Sequence, residues 1–140
     1  MKRKVSSDFL KMNEDKFDVD SLLSNWIDDA VWYSTSEISV GSTIKGKKAI
    51  ADWFRRWIEE FPKRNFVVQN ICFGAWPLSP SNVITVEWSS EATDKGGKKY
   101  RYDGCTVFHT ENMKIIRASE YLSFNGLPQI SELIKPVSET

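Results

Sequence analysis

One carboxylate lies where the sequence predicts an apolar sheet face. Glu120 shares alternate positions of a predicted strand, and hence one face of it, with four apolar residues: Ile116, Ala118, Leu122 and Phe124. A buried carboxylate must be paired, protonated or functional, because burying it without compensation is costly. Desolvation would raise its pKa toward the range that suits a general acid or base. The alternative is a structural acid bonded to a Tyr, a Trp or a backbone group.

The hairpin before this strand predicts which residues share a face with Glu120. If Asn112-Met113 is a two-residue turn, Glu111 pairs with Lys114 and the rest of the ladder follows. The resulting pairs are His109 with Ile116, Val107 with Ala118, Cys105 with Glu120, and Asp103 with Leu122. This register makes Asp103 a second catalytic candidate and adds four pocket-lining residues: Cys105, Val107, His109 and Ala118.

The same register places four aromatic residues together on the opposite face: Tyr100, Tyr102, Phe108 and Tyr121. A solvated face rarely carries so many aromatic residues, whereas the core of a protein interface is enriched in them. The sequence therefore predicts a homodimer that forms through this face.

Several other kinds of chemistry are not expected. Cys72 and Cys105 are far apart, and His109 is the only histidine, so no metal site is predicted. The segment Gly41–Lys48 resembles a phosphate-binding loop, but its last position is Lys48 where Ser or Thr must hold magnesium, so no nucleotide cofactor is expected.

Charge and hydropathy narrow the possible partners further. The 19 basic and 19 acidic residues cancel, which gives no global field for nucleic acid or an anionic membrane. No apolar run reaches the length of a membrane span, and the start of the chain lacks the apolar stretch of a signal peptide. We therefore expect a cytoplasmic protein.

Helical periodicity dominates the first part of the chain. A first helix is predicted from the spacing of Val5, Phe9 and Met12, and a second after Asp18 and Asp20. Ala30–Tyr33 is predicted as a short strand and Gly41–Gly46 as a loop. A long third helix ends at Pro62 and carries one apolar stripe: Ile50, Trp53, Phe54, Trp57, Ile58 and Phe61.

After Pro62 the hydrophobic period changes to two, which indicates strands. They are predicted at Phe66–Phe73, Val83–Thr93, Lys99–His109 and Ile115–Phe124, with a short helix at Gln129–Lys135. The connections are short, so neighbouring strands should be antiparallel. Helices followed by strands predict a single α+β domain over residues 1–140.

These elements resemble the SnoaL-like proteins of the NTF2-like superfamily, which includes polyketide cyclases and ketosteroid isomerase. The segments that carry the resemblance are Asp18–Trp32, Gly46–Ile50, Tyr102–Gly104, Lys114-Ile115 and Glu120-Tyr121. The resemblance implies a cone, in which a curved antiparallel sheet wraps around the long helix and encloses a cavity. It also implies a dimer, since related folds commonly pair through the sheet.

The resemblance implies a small-molecule protein, although the pattern of ketosteroid isomerase is absent. Ser34 stands where the general base would follow the first strand, and Cys105 aligns with the acid of the oxyanion hole. We expect a small apolar ligand against Trp32, Trp53 and Trp57, with isomerase- or cyclase-type acid–base chemistry. The alternatives are a non-catalytic binding protein and a dimeric interaction module whose cone is filled by side chains.

Overall fold

The computed structural model describes residues 2–34, 43–74 and 81–122, and it has the predicted order of helices followed by strands. The helices are α1 (Lys2–Lys11), α2 (Val19–Leu22), a 3₁₀ turn (Leu23–Asn25) and α3 (Lys47–Glu60). The strands are β1 (Trp26–Ser34), β2 (Thr43–Lys45), β3 (Lys63–Phe73), β4 (Ser81–Thr93), β5 (Lys99–Glu111) and β6 (Lys114–Leu122). The helix expected at Gln129–Lys135 lies outside the described residues.

The two N-terminal helices bury the residues that their spacing assigns to the core. Val5, Phe9 and Met12 of the α1 region are all buried. Asp18 caps α2, because its carboxylate accepts a hydrogen bond of 3.2 Å from the amide of Ser21.

The long helix α3 is the one that the apolar stripe predicts. It begins after Gly46 and ends before Pro62, and it buries Ile50 and Phe54 against the sheet. Part of the segment predicted as a loop before it is strand β2, which pairs antiparallel with β1. Gly41 and Ser42, at the start of that segment, lie outside the described residues.

The six strands form one curved, unclosed sheet in the order β2-β1-β6-β5-β4-β3. Every neighbouring pair is antiparallel except β1 and β6, which run parallel. The prediction of an antiparallel sheet is therefore wrong for this one pair. A parallel pair needs a long crossover, and here the crossover is the entire chain between β1 and β6.

The β5–β6 turn is confirmed, but the register above it is wrong. Asn112 and Met113 have φ angles of 50° and 68°, as a two-residue turn with two left-handed residues requires. Glu111 pairs with Lys114 and Thr110 with Ile115, but His109 then pairs with Arg117. Ile116 is an extra residue in β6, and this β-bulge shifts every later pair by one.

Because of the bulge, β5 presents to the interior the face opposite to the one predicted. The buried side chains of β5 belong to Tyr100, Thr106, Phe108 and Thr110. On β6, Ile115 replaces the predicted Ile116 at the buried position, whereas Ala118 and Glu120 keep the predicted inner face.

A set of buried and partly buried hydrogen bonds fixes the end of α1 to the sheet. The Arg64 guanidinium donates to the backbone carbonyls of Met12, Glu14 and Phe61, with a distance of 2.8 Å from its Nε to Met12 O. Asn13 makes two hydrogen bonds to the backbone of Phe66, one to its carbonyl and one from its amide. This latch, formed by Arg64 and Asn13, holds α1 over the inner face of the sheet.

No helix in the described ranges is long and apolar enough to span a membrane.

Candidate functional site

A cavity of about 90 Å³ lies between α1, α3 and the inner face of the sheet. Most of its lining is aromatic or aliphatic. Six lining residues carry polar side-chain groups that could act on a ligand: Asp8, Ser34, Glu60, Tyr102, Thr106 and Glu120. An apolar cavity with a few polar groups is the usual form of a small-molecule site.

Four tryptophans form a continuous stack along one wall. Trp26 stacks on Trp32 with ring centroids 6.4 Å apart, Trp32 on Trp53 at 5.7 Å, and Trp53 on Trp57 at 6.3 Å. The three tryptophans that the sequence assigns to the apolar wall, Trp32, Trp53 and Trp57, all line the cavity. The wall joins β1 to α3, so each of these two elements contributes two of the four rings.

Glu120 reaches this cavity from β6. It keeps some accessible surface and lines the cavity, and burial raises the pKa of its carboxyl from 4.5 to about 7. Ser34 of the parallel strand β1 is its partner in the strand register and also lines the cavity. Burial and the nearby charge of Glu120 raise the pKa of the Tyr102 hydroxyl, which keeps that hydroxyl protonated at neutral pH.

The other residues predicted for the site on β5 do not reach the cavity. Asp103, Cys105, Val107 and His109 occupy the positions of β5 that alternate with the cavity-facing Tyr102, Thr106 and Phe108. They therefore lie on the outer face, and their predicted placement is wrong because of the bulge in β6.

Ala118 is on the inner face, as predicted. It is fully buried in the core beside the cavity, in register with Phe108, rather than in the cavity wall.

The alternation within β5 carried the correct signal. The charged residues of β5 all have odd numbers: Lys99, Arg101, Asp103 and Glu111. A charged side chain prefers the solvated face of a sheet, so this pattern indicates that the odd-numbered residues face outward. The same alternation places Tyr100, Tyr102 and Phe108 inside, so the aromatic outer face predicted for a dimer is wrong. Of that set, Tyr121 is the residue exposed on the outer face, at 46% of its surface.

Asp8, the carboxylate of α1 that lines the cavity, was not among the predicted site residues. Its Oδ1 and Oδ2 accept hydrogen bonds of 3.1 and 3.0 Å from Lys4 Nζ. The helical spacing could have revealed it, because residues 5, 8, 9 and 12 share one face of a helix. Asp8 is the polar residue on an otherwise apolar stripe.

Trp88 was also missed, and it forms part of the cavity floor. Its indole Nε1 donates a buried hydrogen bond of 2.9 Å to Thr106 Oγ1. Its ring lies so close to Gly104 that a Cβ atom there would be 2.5 Å from Trp88 Cζ2. Glycine at this position therefore makes room for the indole.

Nothing in the lining indicates a metal ligand set. Within residues 2–34, 43–74 and 81–122, no three His, Cys, Asp or Glu side chains are grouped closely enough to hold a metal ion.

Comparisons with known proteins agree with this architecture. The sequence profile of the SnoaL-like domain family matches residues 9–118. No curated protein sequence matches the chain.

Several solved structures share the fold at low sequence identity. Bal32a, from a soil-derived mobile gene cassette, superposes with a TM-score of 0.76 at 19% identity and covers 95% of each chain. A Bacillus subtilis protein described as a candidate isomerase has a TM-score of 0.70 at 18% identity, over 96% of this chain and 91% of its own. A Catenulispora acidiphila protein with a ketosteroid isomerase-like fold, in complex with trimethylamine, has a TM-score of 0.69 at 15% identity, over 92% of each chain.

Proposed function

The chain belongs to the SnoaL-like domain family, and we propose that it binds a small, largely apolar molecule in the aromatic cavity and performs acid–base chemistry on it. Glu120 is the proposed general base and acid. The reaction class is a proton shift of the isomerase or cyclase type. Members of one fold differ in activity, so the proposal depends on the site and not on the fold.

The observation that carries this proposal is the position of Glu120. A general acid–base group works best when its pKa is close to the working pH, and burial brings the pKa of Glu120 to about 7. Tyr102 supplies a protonated hydroxyl close to this carboxyl. A base beside a neutral hydrogen-bond donor suits proton removal next to a carbonyl group, because the donor stabilises the enolate that forms.

The size of the cavity limits the ligand. An engineered apolar cavity of about 150 Å³ holds benzene. A cavity of about 90 Å³ is smaller than that, so a single small ring is the upper size limit and requires the lining side chains to move apart. A cavity that encloses an ionisable acid favours the enzyme over the non-catalytic alternative and over a cone filled by side chains.

A small cyclic enone tests the reaction class. Cyclohex-3-enone becomes the conjugated cyclohex-2-enone when a base removes a proton between the carbonyl and the double bond and returns it at the far end of that bond. We expect the protein to accelerate this shift, measured by the absorbance of the conjugated product, and Glu120→Gln to abolish the acceleration. Glu59→Gln is the matched control, because the side chain of Glu59 is 75% exposed beside Lys95.

The outcome separates the two small-molecule proposals. A wild-type protein that binds the enone without converting it would support the non-catalytic alternative. Acceleration that survives in Glu120→Gln would exclude Glu120 as the base.

We also propose that the protein forms a homodimer through the outer sheet face. Two residues of this face support the proposal, since Val107 is half-buried and the ring of Tyr121 is exposed. Light scattering at micromolar concentration should give twice the chain mass for the wild type and the chain mass for Val107→Glu. A wild-type monomer under these conditions would exclude the dimer.

A further inference from the structure

The carboxylate of Asp8 lies on the α1 wall of the cavity, where neighbouring positions of the helix are apolar. Asp8 is 8% exposed, and Val5, Phe9 and Met12 share its helix face and also line the cavity. Glu120 enters the same cavity from β6. The cavity therefore has carboxyl groups on two different walls.

Stability of the fold does not explain an acid at this position. An ion pair between residues four apart on a helix contributes only about 0.3–0.5 kcal/mol when exposed. Burial of the Asp8 carboxyl opposes its ionisation and raises its pKa despite the contact with Lys4. Leucine has nearly the same shape as aspartate and would continue the apolar stripe, so the fold itself would favour an apolar residue here.

We propose that Asp8 determines ligand specificity by accepting a hydrogen bond from a hydroxyl group of the ligand. The inference builds on the proposed function, since it concerns the same cavity. Lys4 Nζ contacts both carboxylate oxygens, and this contact favours the ionised, accepting form of Asp8. A small ring that carries a hydroxyl would be held at the α1 wall and would present its opposite side to β6 and Glu120.

The charges around the cavity favour a hydroxyl donor over an anionic ligand. No lysine, arginine or histidine of the described ranges lines the cavity, whereas Asp8, Glu60 and Glu120 do. Two basic groups that contact cavity-lining residues already have partners. Lys4 contacts Asp8, and Arg64 donates to three backbone carbonyls. A carboxylate or phosphate ligand would therefore meet acidic groups without a compensating cation.

Phenol and toluene form a matched pair of probes, because a hydroxyl in one replaces a methyl in the other. Titration calorimetry at pH 7 gives the dissociation constant of each for the wild type, Asp8→Leu and Glu59→Gln. The measured quantity is the ratio of the toluene constant to the phenol constant. We expect Asp8→Leu to lower this ratio about tenfold, since a hydrogen bond to a charged group is lost. Glu59→Gln should leave it unchanged.

A second measurement separates a specificity role from a structural one. Asp8→Leu should unfold at the same or a higher temperature than the wild type, because it removes a desolvated charge. If Asp8→Leu does not fold, Asp8→Asn replaces it, with an expected fall of about threefold in the ratio because a neutral acceptor remains.

Each outcome decides one of the two proposals. If both probes bind and the ratio in the Asp8 variant stays within about twofold of the wild-type ratio, Asp8 has no role in specificity. A twofold change is too small for the loss of a charge-assisted hydrogen bond. If neither probe binds to the wild type, the small-molecule function itself fails.

Discussion

Replacing Glu120 by glutamine should stabilise the protein at alkaline pH. Burial raises the pKa of this carboxyl from 4.5 to about 7. Each unit of pKa shift corresponds to about 1.36 kcal/mol, so ionising Glu120 in the folded protein costs about 3 kcal/mol more than in the unfolded chain. Glutamine has nearly the same shape and carries no charge, so the variant does not incur this cost.

The direction of the pH dependence follows from linkage. Between pH 4.5 and about 7 the folded protein keeps a proton on Glu120 that the unfolded chain has lost. The contribution of Glu120 to the free energy of unfolding therefore falls as pH rises through this window, and it is constant above it. We expect Glu120→Gln to be more stable than wild type by less than about 1 kcal/mol at pH 5 and by up to about 3 kcal/mol at pH 8.

Urea unfolding of both proteins at pH 5, 6, 7 and 8, followed by tryptophan fluorescence, measures this difference. Glu59→Gln is the control, because its exposed carboxyl should give a nearly constant difference from wild type across the series. A Glu120→Gln variant that is less stable than wild type at pH 8 would contradict the reasoning. It would mean that Glu120 is an ionised acceptor in a structural hydrogen-bond network, and the proposed catalytic role would lose its main support.

Two further changes test how the cavity is built. Gly104→Ala should lower the free energy of unfolding by about 1–3 kcal/mol, because the new methyl group forces the Trp88 indole to move. Urea unfolding measures the loss, and an unchanged midpoint would show that the indole moves without cost. Arg64→Met should cost about 3 kcal/mol by the same assay, because three backbone carbonyls, two of them in buried hydrogen bonds, lose a charged donor. Faster hydrogen exchange confined to α1 should accompany it, and uniform exchange would argue against a local latch.

The sequence predicted much of the local structure because the physical signals for it are local. The spacing of apolar residues indicated α1 and α3, and the side chain of Asp18 indicated the start of α2. The turn at Asn112-Met113 followed from the polar break between two segments of alternating hydrophobicity, and both residues have the left-handed backbone angles of a two-residue hairpin turn. Alternation along β6 alone assigned Glu120 to the inner face, without reference to any other strand.

Pairing between strands could not be predicted in the same way. The extra residue at Ile116 leaves the pattern of β6 intact on both sides of it, yet it shifts the β5 pairs by one and turns Asp103, Cys105, Val107 and His109 outward. The parallel contact of β1 with β6 joins residues far apart in the chain, which short connections do not specify.

The sequence by itself therefore determined the three helices, the strands other than β2 and the inner face of β6, because each depends on residues a few positions apart. The tertiary structure decided which groups share the cavity with Glu120. The β-bulge brings Tyr102, Thr106 and Phe108 to it, and the latch at Arg64 brings Asp8. Such contacts depend on the register and packing of elements that are distant in sequence, and no local pattern of residues encodes those.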